Sequence, residues 1–118
     1  MSTYHSTYKS ILLRFDDPFA YITLTDFEKG RGLLQIHSDW GTYSYYWGSM
    51  GEDDILNFLA RTSPSYVHEK LQSCLNYMDM KKDARVRLDR FMIKSWPAIH
   101  ECLKLESSAM TIEKKGNS

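Results

Sequence analysis

The sequence predicts a single α+β domain, built as a four-stranded antiparallel meander over about residues 8–47 and packed by three helices at about 50–61, 64–78 and 80–105. Three observations carry this. Apolar residues alternate with period two through the first part of the chain and switch to helical spacing after Trp47. Turn-forming residues punctuate the alternating part at short intervals. The connections between those runs are too short for parallel crossovers, which need a dozen or more residues. A chain of 118 residues falls within the size range of one domain. Residues 1–106 are read as that domain, and 107–118, ending in a polar stretch, as a flexible tail.

In the first strand Ile11, Leu13 and Phe15 alternate with Ser10, Leu12 and Arg14. Asp16, Asp17 and Pro18 turn the chain, and Tyr21 to Thr25 favours a second strand. Lys29, Gly30, Arg31 and Gly32 supply the next turn, and Leu33 to His37 a third strand. Asp39, Trp40 and Gly41 turn again before a fourth strand over Thr42–Trp47. Alternation puts Tyr43, Tyr45 and Trp47 on its core face and Tyr46 on the other, leaving Trp40 in the turn.

The helices have their own signals. Ser49 and Glu52 match a capping box, and Asp53 and Asp54 suit the positive end of a helix dipole, so the first helix is expected from about Met50. Its core face is Ile55, Leu56, Phe58 and Leu59. Ser63 followed by Pro64 starts a second helix with the stripe Val67, Leu71, Cys74, Leu75 and Met78. Asp79 is expected to cap a third, with Ala84, Leu88, Phe91, Met92 and Ser95 inward and Arg87, Arg90 and Lys94 outward. Pro97 lacks an amide donor and crowds the preceding turn, so a kink or break is expected near Ile93–Trp96, before Ile99, Cys102 and Leu103 resume the apolar side.

Fifteen basic residues balance fifteen acidic ones, but unevenly along the chain. Residues 1–60 carry four bases against eight acids, a net charge of −4, and the remainder carries +4. Such a dipolar surface steers charged partners without specifying the fold. Cys74 and Cys102, in separate predicted helices, read as free thiols. The start MSTYHSTYKS lacks an apolar leader, and no run approaches the roughly 18 apolar residues of a membrane span, which favours a reducing, cytoplasmic setting.

The residue types that chemistry requires do not assemble into a signature. His5, His37, His68 and His100 are too dispersed for a local metal motif, and His100 with Cys102 supplies two potential ligands where zinc takes three or four. No cofactor, metal or catalytic set is expected. The Asp pairs at 16–17 and 53–54 are accounted for by a turn and a helix start, and Gly30-Arg31-Gly32 lacks the rest of a phosphate loop. One charged feature stands out: Lys81, Lys82, Arg85, Arg87, Arg90 and Lys94 surround Asp83 and Asp89, for a net +4, and are candidates for nucleic-acid phosphate contacts. Against that reading, these charges spread over several helix faces and the pI is near 6.9.

The segment Trp40, Gly41, Tyr43, Tyr45, Trp47, Gly48, Met50 and Gly51, followed by Phe58, Leu59, Tyr66 and Leu71, resembles a group of small bacteriophage and prophage proteins of uncharacterised function. The resemblance spans roughly residues 19–71 and supplies no catalytic residues. It implies an accessory protein of the host bacterial cytoplasm that binds and inhibits or redirects a host protein, such as a defence component. Trp40 and Tyr46 are then candidate interface anchors, with Asp39, Glu52 and Asp53 as an acidic rim that steers a basic partner. The alternative expectation is nucleic-acid binding by the basic third helix.

Overall fold

A computed structural model describes residues 9–75 and 82–116, with side chains over 9–75 and 83–109. Four strands, β1 (Lys9–Asp16), β2 (Phe19–Glu28), β3 (Arg31–Ser38) and β4 (Gly41–Trp47), form one antiparallel sheet in the order β1-β2-β3-β4. They are followed by α1 (Ile55–Arg61), α2 (Pro64–Leu75), α3 (Lys82–Lys94) and α4 (Trp96–Gly116). The predicted meander is therefore present, with four helices where three were expected.

The extra helix comes from the proline. Pro97 has no amide to donate to Ile93, so α3 ends at Lys94 and a new helix starts at Trp96 with the proline in its first turn, where a missing donor costs nothing. Ser95 between them keeps its amide bonded to the Phe91 carbonyl at 2.8 Å. Helix α4 runs on past the expected end near Leu105. Met78, Asp79, Lys81 and His5 lie outside the described residues.

The start of α1 is also corrected. Asp54, not Ser49, is its N-cap: the Asp54 carboxylate accepts from the Asn57 amide at 2.8 Å. The Met50 amide instead donates to the Gly30 carbonyl at 2.8 Å, and Gly51 adopts a φ of +70°, a left-handed conformation no right-handed helix start accommodates. Residues 50–54 are thus a connection that pins Met50, nearly fully buried, under the β2–β3 turn. Gly32, expected in that turn, lies in β3, where a Cβ would come within 2.8 Å of both Ile55 Cβ and Met50 Cε.

All the helices with described contacts to the sheet pack against one face. Ala20, Ile22, Leu24, Leu34, Ile36, Tyr43 and Trp47 point into the core from the sheet and meet Ile55, Leu59, Val67, Leu71, Leu88, Phe91, Trp96, Ile99 and Leu103. The expected inward faces of α1, α2 and α3 are borne out among the described residues. Trp47 joins the layers: its indole N–H donates to the Tyr66 hydroxyl at 2.9 Å, and its ring lies 5.6 Å from that of Phe58. Cys74 and Cys102 are free and half-buried.

Candidate functional site

With the helices on one side, the other face of the sheet keeps whatever its outward positions carry. In β1 that is Leu12, in β2 Phe19, Tyr21 and Thr23, in β3 Leu33, Gln35 and His37, and in β4 Thr42, Ser44 and Tyr46, by direct strand-to-strand register. Most half-solvated sheets alternate apolar-in with polar-out. Here several outward positions are large and apolar, and Leu12 is 63% exposed and Tyr46 48%. Phe19 and Tyr21 meet edge to face at 4.8 Å, and Phe19 meets His37 at 5.8 Å.

A second ring pair forms at the opposite end. The register of β2 on β3 shifts between Asp26 and Glu28, and this bulge accompanies an exposed Phe27 whose ring centre lies 6.1 Å from that of Tyr46. Beside it, between β1 and the start of α1, runs a groove of about 630 Å³ with Ile11, Phe27 and Leu56 among its apolar lining and Asp26, Glu28, Glu52, Asp53 and Asp54 among its acids. Several of these acids already have partners. Glu52 pairs with Lys29, Asp53 with Arg61 at 2.6 Å, and Asp26 accepts from the Ile55 amide at 2.8 Å. Burial pushes the Asp26 carboxyl above its ordinary range; the Ile55 hydrogen bond and Lys9 pull it back, and the nearby Asp54 charge adds to the rise.

The five residues expected to form one partner surface do not all converge. Tyr46 is exposed on the outer face, and Glu52 and Asp53 line the groove at the same end of the sheet. Asp39 is exposed in the β3–β4 turn at the other end. Trp40, expected at the rim, is half-buried against the core, with an indole N–H that is buried and finds no partner among the described residues. Its carbonyl accepts from the Tyr43 hydroxyl at 2.7 Å, so the turn folds down onto the core rather than away from it. Phe27 and Leu12 were not singled out in the sequence. Phe27 keeps the outward parity of Phe19, Tyr21 and Thr23 but lies beyond the expected end of the second strand, and Leu12 stands in the alternation only as a position opposite Ile11 and Leu13.

Of the basic candidates, Arg85, Arg87, Arg90 and Lys94 are exposed on α3; Lys82 begins that helix, and Lys81 lies outside the described residues. Val86 and Ile93 share the exposed side. The Asp89 carboxylate accepts from the His68 Nε2–H at 2.8 Å, tying α3 to α2. Among the described residues no three His, Cys, Asp or Glu side chains converge on a metal position. Burial pushes the Cys102 thiol up, with the Glu106 charge adding to it, which disfavours the thiolate a nucleophile requires.

An open antiparallel sheet, backed on one face by helices and carrying exposed rings on the other, defines a small α+β protein with a sheet surface that no described helix covers. The chain matches the model of Phage_phiTE_072, described as a phage family, over residues 1–101, and it belongs to that family. It is thus a phage protein. No curated protein and no solved structure matches it. No helix among the described residues is long and apolar enough to cross a membrane.

Proposed function

We propose that this phage protein is an accessory factor that binds a host protein through the uncovered face of its sheet and thereby modulates or inhibits it. The observation that carries the reading is the exposure of Leu12, Tyr21, Phe27 and Tyr46 on a face that no described helix covers. Singly exposed apolar residues are ordinary, but several on one sheet face make a candidate interaction surface. Tyr46 and Phe27 are the anchors in this reading, because large rings lose little side-chain entropy per area buried. Glu52 and Asp53 lie beside Phe27 and are paired with Lys29 and Arg61, but acids still outnumber bases in the groove lining, which favours a partner with basic residues around an apolar centre. Trp40 is released from the anchor role by its packing. The test is affinity capture from the phage's bacterial host with the wild-type chain and with Phe27→Ala/Tyr46→Ala; a genuine partner is retained by the first and lost with the second.

A second reading rests on the exposed row Arg87, Arg90 and Lys94 of α3, which could follow a phosphate backbone. A mobility shift that falls steeply with salt and weakens with Arg90→Ala would favour it over the sheet-face reading.

A further inference from the structure

Among the described residues, nothing pairs with the outer edge of the first strand. Strand β1 pairs with β2 over its whole length, Lys9 to Asp16, without a bulge, and among the described residues no strand lies on its other side. The opposite edge strand, β4, is flanked by α2 and α3. Exposed edges are normally blunted by brevity, proline, bulges or cover, because their free amides and carbonyls invite another strand. β1 has eight residues, no proline and no bulge, and its charges are Lys9 and Asp16 at its ends and Arg14, which pairs with Asp16 at 2.9 Å. Its Ile11 is 37% exposed although it points to the core face, and Leu13 and Phe15 are half-buried there.

We propose that β1 pairs with β1 of a second copy of this chain, antiparallel about a two-fold axis through Leu13, to give a continuous eight-stranded sheet. The sequence KSILLRFDD is complementary to itself in that register. On the helix-covered face, Leu13 meets the Leu13 of the other copy, Ile11 meets Phe15, and Lys9 meets Asp17 just beyond the strand. On the open face, the Leu12 side chain lies beside the aliphatic stem of Arg14, and Ser10 faces Asp16. On the helix-covered face the apolar pairs are thus central and one Lys9–Asp17 pair lies at each end, two in all by symmetry, an arrangement that favours cross-strand pairing. A two-fold axis perpendicular to the sheet keeps both helical layers on one side. The two uncovered faces then lie side by side as one surface. This goes beyond the host-binding reading and does not depend on it.

Sedimentation of the full chain from micromolar to hundreds of micromolar tests the pairing. The wild type is expected to sediment as a reversible dimer. Lys9→Asp and Asp17→Lys each set like charges against each other at both ends and should raise the dissociation constant at least about tenfold. The double swap Lys9→Asp/Asp17→Lys should return it to near the wild-type value, with thermal melting used to establish that all three variants fold. A monomer throughout the range would overturn the proposal, as would a dimer indifferent to the single swaps or a double swap that fails to restore association.

Discussion

Trp47 is the side chain on which the two layers depend most directly, since it fills the core face of β4, contacts Phe58 on α1 and bonds to Tyr66 on α2. Trp47→Ala is expected to cost about 3–5 kcal/mol, the range for truncating a core aromatic, as read from the shift in a chemical denaturation curve. Trp40 is half-buried and makes no indole hydrogen bond among the described residues. Trp40→Phe should therefore be nearly neutral, while Trp40→Ala should lower stability by about 2 kcal/mol or more through lost packing. Equal melting of wild type and Trp40→Ala would return the residue to the surface. Asp26 gives a pH signature. Its raised folded pKa means that its contribution is fully present below the unfolded carboxyl pKa and lost as pH rises through the folded value. Asp26→Asn keeps an oxygen for the Ile55 amide and removes that loss. The variant should melt at or above wild type at neutral pH, with the advantage vanishing in acid; a variant less stable at neutral pH would contradict the assignment.

At the scale of elements, the start of α1 separates local sequence signal from tertiary constraint. Asp54→Ala should cost about 1 kcal/mol as a lost N-cap, whereas Ser49→Ala should stay within about 0.5 kcal/mol, since Ser49 lies outside the helix. The reverse order would reinstate the capping box. Ser49 and Glu52 have the right spacing for a box, but the Met50 side chain finds a buried site beneath Gly32, and its amide bonds across to Gly30. Such long-range contacts are invisible to a local pattern. The strands were legible because one face of each is buried and period two records that directly; β1 shows the limit, since alternation says which face Ile11 takes but not that its edge is open. The break at Pro97 was legible because it follows from a missing donor. The helix it creates was not counted, because the apolar spacing continues on both sides of it.

At the scale of the whole molecule, all described helix–sheet packing falls on one face, and the other retains rings that a monomer has no need to expose. The sequence disclosed this only in part. Tyr46 stood out by its parity, but Phe27 lay past the expected end of the second strand, and Glu52 and Asp53 reach the groove beside it through the connection that Met50 pins under the β2–β3 turn. The measurement that bears most directly on the sheet-face account is a calorimetric titration of wild type and Phe27→Ala/Tyr46→Ala against the protein captured from host lysate, with melting curves for both chains. The account predicts at least about a hundredfold weaker binding for the double variant, for two anchor rings, at nearly unchanged stability. Equal affinities, or a wild-type chain that retains no host protein, would contradict it.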